Sequence, residues 1–140
     1  MARAAAKEQG LDNVTFQVES ATNFKGSYDL ICFFDCLHDM GDPVGIAQYA
    51  KSQLAKNGSI MLIEPFAHDT RVENHTGRGG ASYGFSSFFC VPSSLSQEVG
   101  RGMGSQAGEP GMRAVFEAAG YGHFDRIAET QSNIVYEAFV

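Results

Sequence analysis

The sequence predicts an α/β fold of about five strands, with flanking helices and one long, lid-like insertion. Two nearly continuous apolar runs, Tyr28–Phe34 and Ser59–Glu64, are typical of strands that are covered on both faces. The helix-like segment between them gives a strand–helix–strand unit with the length of a right-handed parallel crossover. Two further strand-like segments end the chain, and we expect them to form an antiparallel pair.

Composition limits the function classes that this chain can belong to. Its 140 residues suffice for one domain, 1–140, and 16 acidic against 10 basic residues give a net charge of −6, which argues against nucleic-acid binding. No apolar run approaches the roughly 18 residues that cross a bilayer. Three cysteines are an odd number and too few for a disulfide framework. We therefore expect a cytoplasmic protein without nucleic-acid or membrane partners.

The first elements are a short helix and a strand. Strong helix formers from Arg3 to Gln9, followed by Gly10, predict a helix that ends at a glycine. Val14–Val18 alternates apolar and polar residues, which predicts a strand. A turn at Lys25–Ser27 then leads into the first buried strand.

The crossover helix carries clear end signals. Asp42 is predicted as its N-cap and Pro43 as its first helical residue. Apolar residues at helical spacing follow until Asn57-Gly58, where we expect the helix to end. The second buried strand then runs to Glu64 and is stopped by Pro65.

Residues 68–111 form the predicted lid or insertion. They contain nine of the 16 glycines and only two candidate short helices, Phe85–Val91 and Pro92–Gln97. An excursion of this length inside a compact domain is usually functional. The chain then closes with a helix and two strands, predicted over Glu109–Ala119, Phe124–Ala128 and Asn133–Val140.

The order of these elements resembles a known family. A strand ending in Phe33–Asp39 (FFDCLHD), a proline-started helix and a strand ending in Glu64-Pro65 are similar to the C-terminal two-thirds of a class I S-adenosylmethionine-dependent methyltransferase. Cys90–Leu95 (CVPSSL) resembles the lid of a bacterial O-methyltransferase-like subgroup. The resemblance covers essentially the whole chain and implies a truncated Rossmann-like sheet that uses S-adenosylmethionine.

The family's glycine-rich cofactor turn is missing from this sequence. The resemblance implies that the chain begins after the strand and turn that carry the cofactor, so we expect these 140 residues to be inactive in isolation and to bind no cofactor unless the site is rebuilt. Gly100–Gly104 spells G-x-G-x-G, but no strand precedes it. We interpret it as lid sequence.

The resemblance assigns catalytic and cofactor-binding residues. His38 and Asp39 match a His-Asp pair whose histidine deprotonates the acceptor hydroxyl, and the alternative is a histidine that only caps the strand or lines a loop. A side chain whose pKa lies near neutral pH suits that proton transfer. The implied cofactor contacts are Glu19, Ser20, Ala21, Phe34 and Asp35. Ser20 and Ala21 match the loop that contacts the adenine. The family favours Asp where this chain has Ser20, Glu19 could substitute for it, and the alternative is an ordinary loop at the end of a strand.

The acceptor pocket is predicted from one carboxylate and the lid aromatics. They are Glu64, Tyr83, Phe85, Phe88 and Phe89, and the alternative for the aromatics is ordinary core packing. Cys32 and Cys36 lack metal-ligand spacing, and the remaining histidines share none, so we assign no metal.

The resemblance also predicts a partner. In this fold the strand order is 3-2-1-4-5-7-6, with Val14–Val18 as strand 3 and Tyr28–Phe34 as strand 4. Strands 1 and 2, which lie between them, are missing, so Leu30–Phe34 has a bare edge that favours aggregation unless Val14–Val18 or a second copy pairs with it. We expect a homodimer through that edge, with or without exchange of the N-terminal segment. Two functions remain open: a methyltransferase-like protein acting on a small-molecule acceptor, or a non-catalytic oligomerising or small-molecule-binding module.

Overall fold

The computed structural model describes residues 1–75 and 78–140, and their sheet has four strands. The strands are β1 (Tyr28–Phe34), β2 (Leu54–Pro65), β3 (His123–Glu129) and β4 (Asn133–Phe139). Their order across the sheet is β1-β2-β4-β3, with β1 parallel to β2 and the other pairs antiparallel. The parallel crossover and the antiparallel closing pair are thus confirmed. Within the described ranges, no helix is long and apolar enough to cross a membrane.

The first helix, α1 (Ala2–Glu8), ends as the sequence predicts. Gly10 has φ +67, and its N–H donates to the Lys7 carbonyl at 3.2 Å. The Leu11 N–H donates to the Ala6 carbonyl at 2.9 Å. These two bonds close the helix end around a left-handed glycine.

The prediction of a strand at Val14–Val18 is wrong. The segment has no regular structure, and Val14, Phe16 and Val18 are 43%, 38% and 94% exposed. A strand needs a hydrogen-bonded neighbour, and within residues 1–75 and 78–140 no strand pairs with this segment. The sheet therefore has four strands rather than about five.

Helix α2 (Pro43–Ser52) begins as predicted but ends early. The Asp42 side chain caps it by accepting the Gly45 N–H at 2.9 Å. β2 then starts at Leu54, so the expected helix end at Asn57-Gly58 lies inside the strand. A register shift between β1 and β2 absorbs the extra residues. A Cβ at Gly58 would lie 2.5 Å from the Tyr28 carbonyl oxygen, so only glycine fits there.

The lid is more helical than the sequence predicts. α3 (Arg78–Phe85), a π-helical turn (Ser86–Cys90) and α4 (Val91–Leu95) follow one another directly, so the two short helices expected from Phe85 onward are part of a longer helical segment. The Val91 N–H donates to Ser86 five residues back, just before a proline that has no N–H. Thr76 and Gly77, within the predicted lid, lie outside the described residues.

The glycine-rich segment after α4 is a loop, as interpreted from the sequence. Gly100, Gly102 and Gly104 all have positive φ, and a helix rather than a strand precedes them. Helix α5 (Gly108–Ala118) follows and packs against α2. Buried side chains of α5 join those of β2, β4 and the turn after β1 in one core: Leu37, Ile60, Leu62, Met112, Val115, Phe116, Ile134 and Tyr136.

Candidate active site

The candidate site is assembled where the two parallel strands end. His38 lies in a one-turn 3₁₀ helix, Leu37–Asp39, directly after β1, and Glu64 lies near the end of β2. The Asp35 N–H donates to the Ile63 carbonyl at 2.8 Å and fixes the exit of the chain from the sheet. Because carboxyl ends of parallel strands meet at the same edge, residues 26 apart in sequence become neighbours.

Glu64 and His38 form a buried pair. Each is 3% exposed. Glu64 Oε2 is hydrogen-bonded to His38 Nδ1, and Glu64 Oε1 accepts the Leu37 N–H at 3.1 Å. One carboxylate thus holds both the imidazole and the backbone of the turn that carries it.

Asp39 contacts the other side of the same imidazole. His38 Nε2 lies 3.2 Å from Asp39 Oδ1, so the ring stands between two carboxylates. Burial disfavours the charged ring, but the hydrogen bond and charge of Glu64, together with Asp39 and Asp35, raise the pKa of His38 above its ordinary value. The ring is therefore a stronger base than an exposed histidine.

The pKa of the Glu64 carboxyl is also raised, in this case by burial. Desolvation raises its pKa, while the hydrogen bond and charge of His38 and the Leu37 N–H oppose the rise. For the pair as a unit, the dominant result is that the folded protein holds a proton between Glu64 and His38 more tightly than the separated groups would.

His38 and Asp39 line a cavity of about 400 Å³ beneath the lid. Cys90, from the π-helical turn, has its Sγ within 4.8 Å of an Asp39 carboxylate oxygen, and burial, followed by this neighbouring carboxylate, raises the pKa of its thiol. The lining comes from the turn after β1, the end of β2 and the lid: Asp35, His38, Asp39, Pro65, Ser82, Phe85, Phe89, Cys90 and Ser105. This volume suits a small acceptor of roughly one or two rings.

The predicted acceptor residues take different places around this cavity. Phe89 lines it, as does Phe85, while Glu64 lies behind His38 and supports it. Phe88 is 89% exposed and Tyr83 packs edge-on against His75 at 6.1 Å, so neither is among the described lining residues. Cys90 and Ser105 enter the site without having been predicted, because only the fold of the lid brings them to His38.

The predicted cofactor residues flank a second cleft. Glu19, Ser20 and Ala21 line a space of about 480 Å³ beside β1. Phe34 is 63% exposed at the end of β1, and Asp35 lines the first cavity, with an unusual φ of 52. Left-handed backbone at a non-glycine residue is often found at functional sites.

These residues fit only part of S-adenosylmethionine. The cleft can take a flat group such as adenine, but the Glu19 side chain accepts the Asn23 amide at 2.9 Å and Ser20 Oγ accepts the Thr22 N–H at 3.3 Å, so both are engaged locally. The described residues offer no glycine turn after a strand for the methionine end.

Two sets of side chains bring possible metal ligands together. The first set is His38, Asp39 and Cys90, and the second is Asp35, His38 and Glu64. Within each set the possible ligand atoms lie within 4.8 Å of one another. Glu64 is already hydrogen-bonded to His38 in the second set, and in the first set the raised pKa of the Cys90 thiol disfavours the thiolate that a metal binds. We therefore assign neither set to a metal.

The sheet order and the paired carboxylates around a histidine at the ends of parallel strands define the class: the C-terminal part of a Rossmann-like methyltransferase fold. The profile of the methyltransferase domain family matches residues 1–96, and the chain belongs to this family. Among curated proteins, none matches the sequence.

Solved structures show the same fold. A candidate O-methyltransferase from Nostoc punctiforme PCC 73102 is 17% identical with a TM-score of 0.66, matching 99% of this chain and 41% of its own. An O-methyltransferase family protein from Burkholderia thailandensis is 18% identical, with a TM-score of 0.67 and coverages of 99% and 40%. PigF, solved with S-adenosylhomocysteine, is 15% identical, with a TM-score of 0.71 and coverages of 99% and 39%. The chain spans about two-fifths of these proteins.

Proposed function

We propose that this chain supplies the acceptor side of a cytoplasmic, S-adenosylmethionine-dependent methyltransferase that acts on a small hydroxylated molecule, with His38 as the general base. The observation that carries the proposal is the imidazole held between Glu64 and Asp39 at the wall of a cavity of about 400 Å³. Family membership and the O-methyltransferase folds support the reaction class.

The chemistry follows from the orientation of the ring. Glu64 holds Nδ1, which leaves Nε2 to accept the proton of an acceptor hydroxyl bound beside Asp39. The resulting imidazolium is stabilised by the buried carboxylate, as an acidic partner stabilises a catalytic histidine elsewhere. When bound, S-adenosylmethionine supplies an electrophilic methyl group. The methyl carbon would pass from sulfur to the acceptor oxygen with S-adenosylhomocysteine as the leaving group, and His38 later releases the proton to water.

The reaction needs more of the cofactor site than these residues form. We propose that the isolated chain is inactive and that the glycine-rich turn must be contributed from outside residues 1–140, because the cleft beside β1 is open and has contacts for only one end of the cofactor. The unpaired side of β1 is the place where that contribution would join the sheet.

Titration calorimetry with S-adenosylhomocysteine, followed by a methyl-transfer assay on a panel of phenols and hydroxylated acids, tests this function. In whichever assembly binds the cofactor, we expect His38→Gln to lower transfer by about 100-fold or more while S-adenosylhomocysteine binding is retained. His123→Gln, on β3 and stacked on Phe139, is the matched control. Full transfer by His38→Gln would reject the base assignment.

A second candidate function is a non-catalytic module that oligomerises through β1. Among the described residues, β1 pairs only with β2, and Leu30 and Phe34 are 50% and 63% exposed. We propose that a second copy covers this edge, since an uncovered apolar edge strand invites pairing. Light scattering should then give a dimer that Leu30→Lys dissociates, whereas Ile127→Lys on the opposite edge strand should not. A monomeric wild-type protein would reject this candidate.

A further inference from the structure

The turn that carries His38 and Asp39 is tied to the segment after the lid helix α4. Gln97 makes two of the bonds: its Nε2 donates to the Asp39 carbonyl at 2.8 Å, and its Oε1 accepts the Gly41 N–H at 2.9 Å. A single carboxamide thus bridges the backbone on both sides of Met40. In geometry the bridge resembles one pair of bonds in a β-ladder, although it is made by a side chain.

Further hydrogen bonds join the same two segments. We call the contacts between residues 39–41 and 94–102 the seam. Ser94, which is fully buried, donates from Oγ to the Met40 carbonyl at 2.8 Å and accepts the Gly102 N–H at 3.0 Å. The Arg101 N–H donates to the Gly41 carbonyl at 2.9 Å. The carbonyls of Asp39, Met40 and Gly41 therefore all accept hydrogen bonds from residues 94–102 of the lid.

The two sides of the seam approach so closely that glycine is required at position 41. A Cβ there would lie 2.6 Å from both Gln97 Cβ and the Glu98 carbonyl oxygen. The contact therefore leaves no room for a water molecule or a side chain between the turn and the lid segment. Movement of one side must be transmitted to the other or must break the bonds of Gln97.

We propose that Gln97 is a positioning residue: it holds the turn that carries His38 and Asp39 against the lid, so that the position of the lid over the cavity and the alignment of the base depend on each other. Asp39 meets the lid at two points: its carbonyl accepts the bond from Gln97, and a carboxylate oxygen lies within 4.8 Å of Cys90 Sγ. Its carboxylate in turn contacts His38 Nε2 at 3.2 Å. The effect of Gln97 on catalysis rests on the proposed role of His38, but the coupling between the turn and the lid does not.

Gln97→Met tests the coupling, since it keeps the length of the side chain and removes both hydrogen bonds. We expect the Gly41 amide to exchange roughly three- to tenfold faster, as for the loss of modest hydrogen bonds, while amides of β2 and β4 are unchanged. Asp39 will then be held less firmly near His38, so the titration midpoint of the His38 imidazole, followed by NMR, should fall. Gln48→Met, on the exposed surface of α2, is the matched control and should change neither.

Gly41→Ala is a second variant, which forces the two sides of the seam apart while the Gln97 carboxamide itself is kept. It should lower the His38 midpoint in the same direction as Gln97→Met. An unchanged His38 midpoint in Gln97→Met, whether or not Gly41 exchange accelerates, would overturn the proposal, because the residue would then stabilise only its own contact. If His38→Gln retains methyl transfer while Gln97→Met still shifts the His38 midpoint, the proposed function fails and the coupling stands.

Discussion

Glu64 uses its two carboxylate oxygens on adjacent residues of the same turn, the His38 ring and the Leu37 N–H. This arrangement joins the end of β2 to the first residues after β1. An unpaired carboxylate at this depth would be strongly disfavoured, and both of its oxygens are satisfied here. The pair therefore fixes the orientation of the imidazole as well as its charge.

Glu64→Gln should lower the pKa of His38. The amide keeps the volume of the carboxyl group but removes the charge and the strongest hydrogen bond that oppose the burial of the imidazolium. NMR titration of the histidine ring protons measures the effect. Glu109→Gln, which removes a half-exposed i,i+4 partner of Arg113, is the control and should leave His38 unchanged. A His38 midpoint that stays in place would show that Glu64 does not set it.

The same pair predicts how stability depends on pH. The pKa values of His38 and Glu64 are both raised on folding, so the native state binds more protons than the unfolded state, and stability must fall as the pH rises. The His38 contribution is complete below its ordinary value of 6.5 and is lost as the pH passes through its raised folded value.

Urea unfolding at several pH values from about 6 to 7.5 measures this slope before the thiols of the unfolded chain begin to titrate. The wild-type protein should lose stability across that range, and Glu64→Gln should have a flatter profile. His123→Gln should keep the wild-type slope, because that ring stacks on Phe139 far from the pair. A flat wild-type profile would contradict the raised pKa of His38.

The sequence predicted those elements whose signals are local. The N-cap at Asp42, the glycine after α1 and the continuous apolar run of β1 all lie within a few residues of the structure that they specify. Val14–Val18 has an equally clear strand pattern and forms none, because a strand depends on a neighbour that the pattern does not encode. The end of α2 was misplaced for a similar reason, since pairing with β1 draws Leu54 into β2.

In the candidate site, too, residues with local sequence signals were predicted and contacts between distant residues were not. His38 and Asp39 could be picked out because they follow a buried strand, and Glu64 because it ends the next one. The contact between His38 and Glu64 needed the parallel register, which places Phe34 opposite Ile63. Cys90 and Gln97 reach the site from the lid, more than 50 residues along the chain from Asp39, and no local signal marks Gln97.

Tyr121→Phe should destabilise the fold through one buried hydrogen bond. The hydroxyl of Tyr121 donates to the Ala47 carbonyl at 3.1 Å in the core, and burial raises the pKa of the phenol. Its removal loses this buried bond, while the Ala47 carbonyl keeps its backbone bond within α2, at a cost of about 0.5–1.5 kcal/mol in the free energy of unfolding. Tyr28→Phe, whose exposed hydroxyl bonds to Lys25, should cost less than about 0.5 kcal/mol. Equal losses from the two variants would contradict the packing of α2 against the segment after α5.

Phe116 in the core and Phe88 in the lid differ widely in solvent exposure. Phe116 is fully buried, with ring centroids of Tyr121 and Phe124 at 5.0 Å, whereas Phe88 is 89% exposed. Phe116→Ala should cost about 3–5 kcal/mol, through lost burial and the cavity it leaves.

Urea unfolding compares the two positions on the same scale. Phe88→Ala should stay within about 0.5 kcal/mol of wild type, because its ring is in solvent in the free chain. Ile134→Val, in the same core as Phe116, should cost about 0.5–1.5 kcal/mol and remains measurable if Phe116→Ala does not fold. A loss at Phe88 as large as that at Ile134 would mean that the lid aromatics are buried in solution, and the second copy proposed at β1 would then have to cover the lid as well.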